Sequence, residues 1–209
     1  ITVLWRHLMH SSKPPMFIAL DLEMEQPSNE ILSVGICLFD EYQLEESKNF
    51  YITPTEPVSE FIQNLTGIKD TDFDFTKSRT VCYAEMSSWV QEQIDRHIGR
   101  KYFREAVTWG TGDVPLLRAD MRKHCTNFEW LSQRFTDTKT LYLFDKYTSG
   151  KSLASKTSLN TAMASFGIVP TGTAHNSMYD AINTAKVFRT IICNQSEVKH
   201  RIKQLATIV

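Results

Sequence analysis

Residues 16–24 read MFIALDLEM, and the placing of this stretch decides the rest of the chain. Apart from two acids it is wholly apolar, as expected of a buried strand bounded by turn residues. Alternation along a strand puts Asp21 and Glu23 on one face and Leu20, Leu22 and Met24 on the other. Two carboxylates inside an apolar strand are costly to bury unless something positive sits between them. By themselves they describe a strand end emerging into solvent equally well. Glu25 shares their parity, but it lies at the turn before Pro27 and reads as solvated.

Working outward, a turn at QPSNE (26–30) leads to ILSVGICLFD (31–40), a second strand, and NFYITP (49–54) is a third. These form an antiparallel meander. VSEFIQNLTGI (58–68) is a short helix ending at Thr66-Gly67, and a longer helix spans roughly 80–98, with Met86, Trp89, Val90 and Ile94 at helical spacing. EAVTWG (105–110) is a fourth strand, and VPLLRADMRKHC (114–125) is a helix with Pro115 in its first turn. QRFTDTK (133–139) is a short fifth strand. After a Ser/Lys/Gly-rich loop at 145–158 come a helix at 158–168 closing at Gly167 and another from Asn176 to about Cys193. Three strands followed by alternating helix and strand predict an α/β fold with a mixed sheet.

The 209 residues suit one domain with a real core, and 42% hydrophobic with 22% charged residues is ordinary for a soluble globular chain. Residues 1–15 are too short and too poorly patterned for a secretory signal, and read as an extension or expression remnant ahead of a domain at 16–195. Residues 196–209 form a C-terminal helical tail. The formal net charge of −1 supplies no global basic field, so a polyanion must be held by a local patch or by bound metal. Cys37, Cys82, Cys125 and Cys193 are spread singly, with no C-x-x-C spacing. That opposes a zinc knuckle or a disulfide framework and fits a reducing, cytoplasmic compartment. No apolar run approaches the roughly 20 residues of a membrane span, so no membrane partner is expected.

Two further acids stand out. Asp113, in TWGTGDVPLL (108–117), follows a strand and precedes Pro115, where an N-cap aspartate belongs. In TAHNSMYDAINTAKVF (173–188), His175 precedes Asp180 by five residues. Within one helix that spacing would turn the two side chains apart by about 140°, so His175 must lie before the helix if they act together. Asn176 or Ser177 would cap that helix. Asn183, Lys186, Arg189 and Thr190 form its polar stripe, while Asp180 lies with Thr184, Val187 and Ile191 on a mainly apolar face. A carboxylate at the top of a buried face needs a partner.

Oxygen-only ligands of this kind suit Mg²⁺ or Mn²⁺, and two such ions roughly 3.5–4 Å apart can activate water and stabilise a leaving phosphodiester oxygen. A neutral histidine beside the attacking water is then the natural general base, its unperturbed pKa of about 6.5 lying close to working pH. In that reading His175 takes the proton and Asp180 holds the metal.

These residues resemble the DEDDh-type 3′→5′ exonucleases, the DnaQ-like group (ribonuclease T superfamily) that includes ribonuclease T, oligoribonuclease and polymerase proofreading subunits. Asp21 and Glu23 match the family's D-x-E strand, Asp113 its helix-opening aspartate, and His175 with Asp180 its H-x-x-x-x-D ending. LTGIKDTDF (65–73) looks like the family's T-G-I element, and FTDTKTL (135–141) and SLNTAMASFGI (158–168) resemble its later structural stretches. The likeness covers about residues 16–193. Gly112 departs from it, since many relatives carry a bulky aromatic before the second aspartate.

The resemblance implies a ribonuclease-H-like fold: a five-stranded mixed sheet, its first three strands antiparallel, flanked by helices. It implies two Mg²⁺ or Mn²⁺ ions on Asp21, Glu23, Asp113 and Asp180, with His175 as base. Mononucleotides would be removed from the 3′ hydroxyl ends of single-stranded RNA or DNA, with Met24 and Thr66 against the last nucleotide. Those two residues read equally as core and helix-end positions. Family members are often homodimers. Two rival readings are a binding module that kept the fold without the chemistry, and an endonuclease of the wider ribonuclease-H-like class. All five catalytic-type residues are present, which opposes the first; the H-x-x-x-x-D ending and T-G-I element oppose the second.

Overall fold

The computed structural model describes residues 13–97, 99–124, 128–150 and 157–206, with only the backbone of 196–206. The expectations for residues 1–12 of the extension, for Cys125, for 151–156 of the Ser/Lys/Gly-rich loop and for 207–209 fall outside the described residues.

The strands are β1 (Phe17–Met24), β2 (Ile31–Phe39), β3 (Leu44–Tyr51), β4 (Ala106–Thr108) and β5 (Phe135–Asp137). The helices are α1 (Glu60–Thr66), α2 (Arg79–Arg96), α3 (Asp113–Lys123), α4 (Thr138–Thr148), α5 (Leu159–Ser165) and α6 (Ser177–Ala206), with one 3₁₀ turn at Asp70–Asp72. The sheet order is β3-β2-β1-β4-β5, with β1, β2 and β3 antiparallel and β4 and β5 parallel to β1. The expected α/β fold with a five-stranded mixed sheet is therefore the one observed.

The alternation in β1 sorts its side chains as read. Ile18, Leu20 and Leu22 pack with Val34, Ile36 and Leu38 of β2 against Tyr83, Met86 and Val90 of α2 and Leu117 and Met121 of α3. On the opposite face Ala19, Cys37, Phe39 and Val107 meet Ala181, Ile182, Ala185 and Phe188 of α6. Both faces of β1 and β2 are covered, so every residue of β2 is buried. Each fully buried Leu, Ile or Val contributes about 1.5–3 kcal/mol relative to exposure.

Arg79 ties the α2–α3 layer to the meander. Its guanidinium donates to the Ile31 and Thr53 carbonyls, to Glu30 at 3.2 Å and to Asp120 at 2.5 Å. Asp120 also accepts from the Tyr83 hydroxyl at 2.5 Å. These bonds hold the Asp120 carboxyl below the usual range against the upward push of burial.

Three elements differ from expectation. The third strand begins at Leu44 rather than Asn49, because Glu46, Ser47 and Lys48 are exposed and show no apolar pattern to read. α4 occupies 138–148, which straddles the expected fifth strand and the expected loop. Asp137 starts it, accepting from Lys139 N at 3.0 Å and Thr140 Oγ1 at 2.6 Å, a turn-forming aspartate that also reads as the end of a strand. Finally, α6 runs to Ala206 rather than ending near Cys193. Among the described residues, no helix is long and apolar enough to cross a membrane.

Candidate metal centre

The acids meet beside β1, and the chain brings them there by one close approach. In the β1–β2 register Asp21 lies opposite Gly35 and Glu23 opposite Ser33. An ideal Cβ on Gly35 would fall 2.0 Å from the Ser177 carbonyl carbon and oxygen and 2.2 Å from Met178 N, so the start of α6 rests directly on the bare backbone of β2. The buried Ser177 hydroxyl fastens that contact, at 2.8 Å from Ser33 Oγ and donating to Asn49 Oδ1 at 2.7 Å. Asn176, one of the two expected caps, is the one that caps, its Oδ1 accepting from Tyr179 N at 3.2 Å.

One turn into α6, Asp180 then reaches Asp21 and Glu23. Ligand oxygens of these three carboxylates all lie within 4.8 Å of one another. Asp113 arrives from the carboxyl end of β4, the end at which open α/β sheets gather their ligands. It is the first residue of α3 rather than its cap; Gly112 holds the cap position with helical angles and no side-chain bond. The expected N-cap role is thus corrected, and the Asp113 carboxyl is left to act on its neighbours. Asp137 steadies this loop by accepting from Gly110 N at 2.9 Å. A Cβ at Gly112 would meet nothing closer than Leu116 Cδ1 at 4.0 Å.

The electrostatics are those of an uncompensated cluster. Burial, then Asp113, Glu23 and Asp180, raise the Asp21 pKa well above the carboxylate range. Glu23 is pushed up to about 7 by burial, Asp180 and Asp113. Burial raises Asp113 to about 6. Asp180 is raised by burial, partly offset by His175. Among the described residues no lysine or arginine pairs with any of the four. Half-buried carboxylates that repel each other and lack a cation fit a hard divalent ion.

His175 precedes the helix, as its spacing with Asp180 required. It sits in the left-handed region at φ 61°, its backbone N–H donates to Asp180 Oδ2 at 2.9 Å, and its side chain is exposed. One aspartate therefore faces the other acids and anchors the histidine.

The remaining expected residues vary. Met24 is half-buried against the α2–α3 core. Thr66 spends its hydroxyl closing α1, donating to the Ile62 carbonyl at 2.8 Å and accepting from Ile68 N at 3.1 Å. Glu25 is not merely solvated. It accepts from Ser59 N at 2.9 Å and Ser59 Oγ at 2.7 Å, and these bonds with that of Gln26 N outweigh burial and lower its pKa. Asn183, placed on the polar stripe of its helix, is buried and bonded to Thr171. Gly35, Ser33, Asn49 and Asn183 had no linear signal, because each matters through a partner at least 12 residues away. One concavity of about 740 Å³ lies between residues 101–105 and 128–133 and another of about 900 Å³ lies along α2, and Asp21, Glu23, Asp113 and Asp180 line neither.

The family model described as Exonuclease (RNase_T) matches residues 18–188. ERI1 exoribonuclease 2 of Xenopus laevis is 26% identical over 177 residues, covering 75% of this chain; the chain spans 24% of the frog protein's length. Among solved structures, cell-death related nuclease 4 (CRN-4) superposes with a TM-score of 0.71 at 18% identity, over 85% of this chain and 63% of that one. The nuclease domain of 3′hExo, a DEDDh family member bound to rAMP, does so with a TM-score of 0.68 at 17% identity, over 88% and 95%. These neighbours share the ribonuclease-H-like exonuclease fold. With its acids gathered beside β1 and the match running from that strand into the helix that carries Asp180, this chain belongs to the RNase_T exonuclease family.

Proposed function

We propose that the chain is a metal-dependent 3′→5′ exonuclease that hydrolyses single-stranded nucleic acid from its 3′ end and releases nucleoside monophosphates. The observation that carries this reading is the cluster of Asp21, Glu23 and Asp180, short of positive charge, with His175 held beside it. Those acids, with Asp113, would hold two Mg²⁺ or Mn²⁺ ions, which when bound activate water and stabilise a leaving phosphodiester oxygen. His175 accepts the proton of the attacking water; its exposed ring, on a backbone fixed to Asp180, suits that task. Met24 and Thr66 lie against the terminal nucleotide, Thr66 offering its remaining lone pair. RNA is the substrate class supported by two of the similar proteins, the frog relative being an exoribonuclease and one neighbour recognising the 3′ end of a histone mRNA stem-loop, while another neighbour is bound to duplex DNA.

The test is a time course on matched 5′-labelled single-stranded RNA and DNA with Mg²⁺, Mn²⁺ or EDTA. The expected result is a ladder shortening by single nucleotides from the 3′ end, absent in EDTA and faster on RNA. Asp21→Asn and Asp180→Asn abolish it, and His175→Ala slows it by about 10²–10⁴-fold. Oligonucleotides that stay intact under every metal condition, or cleavage of a circular single strand, would overturn the reading.

A further inference from the structure

The segment 169–175 carries His175 but belongs to no helix or strand. Its Asp180 bond fixes a backbone amide, and a second attachment holds the segment further back. Asn183, 3% exposed on α6, pairs with the backbone of one residue twice: Thr171 N donates to Asn183 Oδ1 at 2.9 Å, and Asn183 Nδ2 donates to the Thr171 carbonyl at 3.1 Å. A planar carboxamide carries one acceptor and two donors, so it matches a backbone pair as a neighbouring strand would. One turn on, Lys186 Nζ donates to the Val169 carbonyl at 3.0 Å and to Thr171 Oγ1 at 2.6 Å.

Between Thr171 and His175 stand only residues 172–174. Gly172 turns the chain at φ 63°, and a Cβ there would fall 2.1 Å from the Tyr179 ring. Both ends of this short span are thus tied to α6, at Asn183 and at Asp180, and its bend is pressed against Tyr179.

We propose that Asn183 is a positioning residue for His175: through Thr171 it sets where the imidazole stands over the carboxylates before any substrate arrives. The inference rests on His175 acting as base in the proposed reaction. Asn183 touches none of the four acids by a hydrogen bond, so its effect on turnover is routed through the histidine segment. A displacement of about 1 Å in a catalytic group can cost about 10²-fold, which is the scale at stake.

The experiment is a double-mutant cycle on the full chain, with kcat and KM measured on the labelled oligonucleotide for wild type, Asn183→Leu, His175→Ala and the double variant. Leu is of similar size and makes neither bond. The expected result is a fall in kcat of about 10–100-fold with KM within about twofold, disappearing in the His175→Ala background. Lys186→Met, on a partly exposed side chain, moves kcat the same way by a smaller factor and guards against misfolding at the buried site. Full activity in Asn183→Leu, or an equal loss in both backgrounds, overturns the inference. Amide hydrogen exchange of His175, which needs no turnover, separates the two claims. Faster His175 exchange in Asn183→Leu upholds the positioning even if the wild-type chain cleaves nothing. Unchanged exchange overturns the positioning even if the chain is an active nuclease.

Discussion

Gly35→Ala is a change of one methyl group that should disable both the fold and the site. The Gly35 backbone is not left-handed, so the cost is steric rather than conformational. The new Cβ would stand 2.0 Å from Ser177 C and O, against an ordinary contact of about 3.4 Å, so α6 must retreat by 3.4 − 2.0, about 1.4 Å. That retreat carries the Ser177 hydroxyl away from Ser33 and Asn49 in a buried setting. Overpacking costs about 1–3 kcal/mol, and each buried polar group left unsatisfied about 1–3 kcal/mol. With the buried hydroxyls of Ser177 and Ser33 both left short, the sum is about 3–9 kcal/mol, a large share of a typical stability of about 5–15 kcal/mol. For a chain of this size each kcal/mol moves Tm by about 2–4 °C, so calorimetry should show a fall of about 6 °C or more. Asp180 and His175 ride on the same helix start, so turnover at a temperature where the variant is folded should fall by about 10²-fold. Gly99→Ala is the control. It has open space and a positive φ of 85°, so it should cost about 1–2 kcal/mol without changing the rate. A Gly35→Ala protein that melts within 3 °C of wild type and keeps its rate would refute the argument that bare backbone at this position places the site.

Three further outcomes follow from the same geometry. Asp21, Glu23 and Asp113 have raised pKa values, Glu23 reaching about 7, so the folded chain binds more protons than the unfolded one between about pH 4 and 7. Stability in EDTA should therefore fall as pH rises through that window; thermal melts will show it, Glu23→Gln should flatten the slope, and Mg²⁺ or Mn²⁺ should raise Tm more at pH 8 than at pH 5. Asp120→Ala removes one partner of the buried Arg79 charge while Glu30 remains, which should cost about 3 kcal/mol by denaturant unfolding, with kcat unchanged. Glu25→Gln loosens Ser59 at the start of α1 and should cost about 1 kcal/mol with turnover within twofold; an inactive enzyme would show that Glu25 belongs to the metal centre.

Much of this protein could be read from the chain alone, wherever a local pattern coincides with a physical cause. MFIALDLEM announces a strand because alternation and burial act on neighbours in sequence, and both faces sorted as that rule requires. His175 was expected to precede its helix if it acts with Asp180, because helical geometry would turn the two side chains apart, and the helix does start at Ser177. Patterns failed where the cause was not local. The edge strand β3 begins among exposed polar residues, and Asp137 ends a strand and starts a helix at once, so neither boundary shows a hydrophobic period. Asn183 has the spacing of a solvated residue; its burial depends on Thr171 folding back over it. Glu25 reads as solvent-facing until Ser59 comes to rest on it. The acid types and their order along the chain were determined by sequence. Their convergence was decided by tertiary structure, at the one place where a glycine without a side chain lets the start of α6 lie on β2 and carry Asp180 to Asp21 and Glu23.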